Sequence, residues 1–388
     1  VPFITAQQIH NGHRWLPQNT VIEVADNGTI IALHDNLQSD DVIDYDGILA
    51  PAFINAHCHL ELSHMKGVIP EHTGLIPFLK VIPLHRNDFT EEQKKAARHA
   101  GYDELVKNGV IAVGDIANTT DALELRDLDK MHFYTFVESL GFTATNAPKM
   151  FAYATGVYDA YAAQATGDKI LKQAIVPHAP YSVSSALFRL IDQHQDSTVI
   201  SIHNQESREE DKYYIAKEGT VKELLTTLGI DDAPFVPSGK SSLRTYLEWM
   251  SSAHPFMFIH NTYTQLQDIQ FAHSMLKEVY WCLCPNANKY IENALPDVDM
   301  FIRENAKLCI GTDSLASNHE LSIASELTTL KNNFPHLEWE TLLTWATYNG
   351  ACALQMQGVI GSIQPGLKPG IIQIERLEQN APTVQRII

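Results

Sequence analysis

The chain has 388 residues, 45% hydrophobic and 19% charged, which is the balance of a folded globular protein with room for a barrel-sized domain and a smaller one. Its net charge of −18 repels phosphate backbones, so nucleic acid is not an expected partner, although a small anionic substrate remains open. It has no apolar run of membrane-spanning length, and no signal peptide is expected from the residues following Val1. Its five cysteines have no framework spacing and read as free thiols, so a cytoplasmic protein without a membrane partner is expected.

Residues 1 to about 50 read as short strands. Thr20–Val24 and Thr29–Leu33 flank Ala25-Asp-Asn-Gly28, a hairpin turn signature. From residue 51 the pattern changes to strands alternating with amphipathic helices. Thr90–Asn108 reads as a helix opened by the capping box Thr90-Glu-Glu-Gln93. Counted from Ile54, eight strand-like runs end near His57, Asp115, Glu138, His178, His203, His260, Cys284 and Asp313. Eight such units predict a (β/α)8 TIM-like barrel over 51–354, with chemistry at the C-terminal strand ends. Trp339–Leu354 reads as a closing helix, and Gly361–Ile363 and Gly370–Glu375 as further strands. Residues 1–50 and 355–388 are therefore expected to form one small β-sandwich domain from both chain ends. Cys282 and Cys284 read as buried strand cysteines and Trp281 as barrel packing.

The first barrel run, Pro51-Ala-Phe-Ile-Asn-Ala-His57-Cys-His59, ends in a His-x-His pair. Residues two apart on a strand share a face, so the two imidazoles can bind one divalent metal. Four later apolar runs end at metal-ligand types: Ala174–His178, Thr198–His203, Phe256–His260 and Leu308–Asp313. A single such ending is ordinary for a core histidine or a helix cap, but four in chain order after His-x-His point to a shared site.

These pieces, together with His178-Ala-Pro-Tyr-Ser182, His203-Asn-Gln-Glu206, His260-Asn261, Cys284-Pro-Asn-Ala-Asn288 and Gly311-Thr-Asp-Ser-Leu-Ala-Ser-Asn318, resemble the amidohydrolase superfamily over nearly the whole chain. The likeness is to its single-metal, deaminase-like branch, which includes deaminases of S-adenosylhomocysteine, aminofutalosine and guanine. Members with two metals bridge them by a lysine or glutamate at the end of strand 4. Here Lys172 stands six residues before His178, roughly 20 Å away at about 3.3 Å per residue. One metal is therefore expected, with His57, His59, His203 and Asp313 as ligands, leaving room for a water. Such a site suits Zn²⁺ or Fe²⁺, with Zn²⁺ the first expectation.

The resemblance implies a hydrolytic deaminase of an aminated purine-type ring, acting on a small heterocyclic substrate and releasing ammonia. Glu206 becomes the proton shuttle, unless it is a solvated loop carboxylate beside Arg208, Glu209 and Glu210. Asp313 accepts a proton from the water and His260 polarises the water or the developing oxyanion. His178 faces the substrate or caps a loop, while Glu61, Ser63 and His64 line the pocket or hold the first loop. Asn288, Ser317 and Asn318 carry over as pocket groups or supports of the ligands. Two other readings use the same residues: hydrolysis of a cyclic amide, imidazolone or ring C–Cl bond, and a metal-free scaffold with a decayed site. The second is opposed by the joint presence of every ligand candidate and the shuttle. Similar enzymes are often homodimers, but no residue here reports the oligomeric state.

Overall fold

The computed structural model describes residues 2–37, 39–194 and 198–388. Four strands open the chain: β1 (Phe3–Ile9), β2 (Thr20–Val24), β3 (Ile30–Asp35) and β4 (Val42–Pro51). Eight more follow, each leading into a helical connection: β5 (Phe53–Cys58), β6 (Val110–Ala117), β7 (His132–Ser139), β8 (Leu171–Pro177), β9 (Ile200–Asn204), β10 (Phe256–His260), β11 (Val279–Leu283) and β12 (Lys307–Ile310). Two more close the chain, β13 (Ile371–Glu375) and β14 (Thr383–Arg386).

β5 to β12 form two parallel four-stranded halves, β5-β6-β7-β8 and β9-β10-β11-β12. The ladders do not run across the two seams, but individual hydrogen bonds at the strand ends do. The His203 amide donates to the His178 carbonyl at 3.0 Å across one seam. At the other, the amides of Thr312 and Asp313 both donate to the His57 carbonyl, at 3.0 and 3.1 Å. Strands β5, β6, β9, β10 and β11 are buried throughout, as parallel strands covered by helices on one side and barrel core on the other must be. Trp281 lies inside this core against Phe258 and Phe301, and Cys282 pairs with Cys309 across β11 and β12 as a free thiol.

The terminal strands join in one sheet ordered β14-β13-β4-β1-β2-β3, in which only β1 and β4 run parallel. The expected sandwich is thus built from a single hydrogen-bonded sheet that curls. Ile388, just beyond one edge strand, packs against Gly28 in the turn leading to the other. The curl encloses its own apolar core of Ile4, Ile22, Val24, Ile30, Leu49 and Ile371. Gly28 takes φ +82° in that turn, as the hairpin signature requires.

Thr90 caps the helix Glu91–Lys107, and both hydrogen bonds of the Thr90–Gln93 capping box form. Two expectations differ from what is seen. Gly361–Ile363 is a bend, not a strand, because Gly361 turns through φ +88° where the chain passes Gly12. The closing helix is interrupted: an α-helical Trp339–Thr344 passes through a π turn at Trp345–Asn349 before Gly350–Ala353. There Gly350 lies so close to β5 that an added Cβ would stand 2.8 Å from the Cβ of Ile54. Among the described residues no helix is long and apolar enough to cross a membrane.

Gly114 lets β6 lie tightly against β5, since a Cβ there would stand 2.1 Å from the Ala56 carbonyl oxygen. Gly114→Ala is expected to destabilise the fold by about 1–3 kcal/mol or more, because the obstruction is backbone and cannot rotate away. A urea midpoint equal to that of the unsubstituted protein contradicts this close packing.

Candidate active site and metal centre

β5 carries the His-x-His pair, but not as a regular strand. Between Asn55 and Cys58 it has one residue more than β6 has opposite, so His57 sits in a bulge. His59 lies just past the strand and precedes the 3-10 turn Leu60–Met65. The two rings nevertheless meet edge to face, with centroids 4.9 Å apart. His203 sits near the end of β9, His260 closes β10, and Asp313 lies three residues past β12. His260 (φ 70°) and Asp313 (φ 58°) are in the left-handed region, as is Gln205 (φ 44°) beside Glu206. Non-glycine residues rarely adopt this conformation, and here it marks the mouth of the barrel.

Four polar atoms converge there. Asp313 Oδ1 lies 3.5 Å from His57 Nε2 and 3.4 Å from His59 Nε2, and His59 Nε2 lies 3.2 Å from His203 Nε2. The edge of a tetrahedron around a metal with bonds of about 2.1 Å is about 3.4 Å, so these spacings are those of ligands around one ion. Neither ring nitrogen of the fully buried His57 has a hydrogen-bond partner, nor does Nδ1 of His59. Buried polar atoms left in this way are costly unless a cation accepts their lone pairs. The donor set of three imidazoles and a carboxylate fits a divalent ion such as zinc. Among the described residues three overlapping groups bring ligand atoms within 4.8 Å of one another: His57, His59 and Asp313; His57, His203 and His260; and Glu138, His178 and His203. Lys172 takes no part; its ammonium donates to the Gln355 carbonyl at 2.8 Å.

The environment sorts the charges. Burial raises the Asp313 carboxyl, but His57, His59 and His260 outweigh it and hold it well below the usual carboxylate range. Burial lowers His57 and His260 to about 4, against the pull of Asp313. Burial alone also lowers His203, but Glu138 reverses this and raises it to about 9. Glu138 in turn is raised by burial, yet His178, His203 and His59 hold it well below its ordinary value. Glu206 has no such partner set. Burial, reinforced by Asp313 and Glu292 and opposed by His203, raises it to about 8. Its Oε1 lies 3.6 Å from His260 Nε2.

The other expected site residues divide into two sets. His178 and Glu61 line the cavity above the histidines. His178 Nδ1 is 2.7 Å from Ser182 Oγ, and its carbonyl accepts from His203 Nδ1 at 2.8 Å. Ser63, Asn288, Ser317 and Asn318, expected to line the pocket or to support the first loop and the ligands, lie outside the cavity lining. Ser63 Oγ donates to the Leu60 carbonyl at 2.8 Å and packs against Gly101 of the helix Glu91–Lys107. Asn288 Oδ1 holds His260 Nδ1 at 2.9 Å, and Ser317 donates to Asp313 Oδ2. Asn318 ties the Thr312 carbonyl to Glu326, at 2.9 and 2.8 Å. They lie outside because each spends its polar atoms fixing a site residue or its loop. His64, buried against Phe89, likewise stays outside the lining.

Sequence reasoning missed Glu138 and Asn118. Glu138 Oε1 lies 3.3 Å from His203 Nδ1, and its Oε2 accepts from Asn118 Nδ2 at 3.1 Å. Asn118 also donates twice to Glu61, both at 3.0 Å. Glu138 carried a signal, since its strand-like run in the sequence, like those of His178 and His260, stops at a ligand-type residue. Asn118, a loop residue past β6, carried none.

A model of the amidohydrolase family matches residues 48–385. An adenosine deaminase of Helicobacter pylori is 26% identical over 341 residues, covering 87% of this chain and 81% of that protein. A 5-methylthioadenosine/S-adenosylhomocysteine deaminase of Bacillus cytotoxicus is 26% identical over 390 residues, covering 94% and 81%. Among solved structures, Helicobacter pylori aminofutalosine deaminase in complex with methylthio-coformycin superposes with a TM-score of 0.80 at 21% identity, covering 96% of this chain and 91% of that one. That structural likeness speaks for the fold.

Proposed function

Because the chain belongs to the amidohydrolase family, we propose that it hydrolyses a C–N bond by deaminating a 6-aminopurine-type ring of an adenosine-derived compound, with release of ammonia. The observation that carries this reading is the pairing of two features at one cavity: four donors at metal-ligand spacing, and a buried Glu206 whose carboxyl is raised to about 8.

His57, His59, His203 and Asp313 would hold the ion, with Zn²⁺ the best match to three nitrogen donors and one oxygen. When bound, it supplies the Lewis acidity that makes a water nucleophilic near neutral pH. Asp313, kept ionised by its histidines, takes a proton from that water. Glu206, kept protonated by burial, gives its proton to a ring nitrogen as oxygen adds to the amine-bearing carbon, then takes the proton of the added hydroxyl and passes it to the departing amine, while the proton held by Asp313 restores Glu206. The C–N bond breaks and a ring carbonyl remains. His260, neutral and with its Nδ1–H donating to Asn288 Oδ1, presents an unprotonated Nε2 that accepts a hydrogen bond from the attacking water and so polarises it. Glu138 holds His203 from behind, a buttress that typically matters 10- to 100-fold for metal affinity.

The test is ammonia release from a panel of aminopurines and their nucleosides, with elemental analysis of the same preparation. About one equivalent of a divalent metal, and activity that chelator abolishes and zinc restores, are expected. Ring opening or halide release in place of ammonia assigns the alternative hydrolase chemistry. A second metal equivalent contradicts the ligand set, and full activity without metal overturns the mechanism.

A further inference from the structure

The cavity extends well beyond the catalytic floor. It measures about 450 Å³, in the range of pockets that enclose drug-sized ligands. Its two ends differ in chemistry. The floor holds Glu61, Glu138, His178, Glu206 and Asp313, whereas the outer walls are two helices. Helix Leu75–His85 lines the space with Leu75, Phe78, Leu79 and Ile82. These positions recur at i, i+3, i+4 and i+7, so the helix turns its apolar stripe toward the opening. Facing it, helix Thr220–Thr227 and the turn after it contribute Leu224, Leu225, Leu228 and Ile230. The two helices meet in a small apolar cluster separate from the barrel core. Among the described residues Arg86 is the one Lys or Arg lining the cavity; burial raises the Glu61 carboxyl, and Asn118 and Arg86 oppose that rise.

An apolar helix stripe lining an open cavity is stabilised only when something apolar fills the space. A phosphate seated between these walls would meet leucines and isoleucines and the single guanidinium of Arg86. An ammonium would have to leave water for a wall of leucines. We propose that the substrate carries, beyond its aminated ring, an extended apolar substituent seated between these two helices, and that free bases, 5′-phosphates and zwitterionic tails are disfavoured. This rests on the deaminase reading and names the substrate class within it.

The test is kcat/KM for ammonia release with the metal-loaded enzyme on one series: adenine, adenosine, adenosine 5′-phosphate, and 5′-deoxyadenosines bearing methylthio, phenylthio or aminocarboxypropylthio groups. The methylthio and phenylthio compounds should exceed adenosine by at least about tenfold, since a methylene-sized group in such a pocket discriminates by roughly 10- to 200-fold. Leu79→Asp and Leu228→Asp, both at positions with some solvent access, should lower the phenylthio-to-adenosine ratio by at least about tenfold. A flat series, or preference for the phosphate or the zwitterion, overturns the inference and leaves the deaminase reading standing. No ammonia from any member overturns the deaminase reading itself.

Discussion

Glu206→Gln is expected to lower turnover by about 10²- to 10⁴-fold while leaving metal content unchanged. The amide keeps the size of the side chain but cannot hold and return a proton. The loss falls at the upper end if one carboxyl serves both transfers, to the ring nitrogen and to the departing amine. Glu206 is a strong candidate because it is buried at the cavity, 3.6 Å from His260, and raised to about 8. It stands outside the convergent donor groups, so metal should be retained. The checks are single-turnover ammonia release and elemental analysis of the same protein. Near-normal turnover in the variant would remove Glu206 from the mechanism and weaken the deaminase reading with it.

His203→Gln is expected to lower both metal occupancy and rate, which separates the two kinds of residue. The histidine works from both nitrogens. Nε2 faces His59 at 3.2 Å, while Nδ1 donates to the His178 carbonyl at 2.8 Å and lies 3.3 Å from Glu138. Glutamine keeps neither the reach nor the two-sided arrangement, and it leaves Glu138 buried with fewer partners, which also costs stability. Metal affinity by chelator competition should fall by at least the 10- to 100-fold typical of losing a supporting group, and further because a direct donor is lost. Full occupancy in His203→Gln would take this residue out of the proposed ligand set.

Much of this site was legible because its residues obey a simple positional rule. Parallel barrel strands read as continuous apolar runs, so His178, His203 and His260 stood out where such runs stop. Asp313 was legible in the same way, although β12 ends at Ile310 and the next residues carry Asp313 beneath His57. The His-x-His pair was identified for a reason only half correct. Period-two geometry was assumed, whereas a bulge at Ala56–His57 and the strand end before His59 bring the rings together. Ser63, Asn288, Ser317 and Asn318 were near the site in sequence, but direction was not readable. Whether an amide or hydroxyl faces substrate or braces a ligand is decided by partners far along the chain, such as His260 for Asn288. Asn118 illustrates the same limit from the other side, because it matters only through Glu61 and Glu138. The apolar cavity wall was hidden for a similar reason. The stripe Leu75–Ile82 looks like any amphipathic helix until the structure turns it toward an opening.

The curled terminal sheet sets an order of events during synthesis. β4 pairs with β13 through Ile48–Ile374 and Pro51–Ile371, about 320 residues apart in the chain. At ribosomal rates of about 5–20 residues per second, β4 waits roughly 15–60 s for that neighbour, which is long compared with hairpin formation. β1, β2 and β3 can assemble with β4 at once, but the far edge of β4, with Leu49 and Ala50 fully buried in the finished protein, stays open meanwhile. An unpaired apolar strand edge is a template for the wrong partner. The nascent protein is therefore most vulnerable to aggregation while its barrel is still being made, and emergence of β13, from Ile371 onward, is the step that covers this edge.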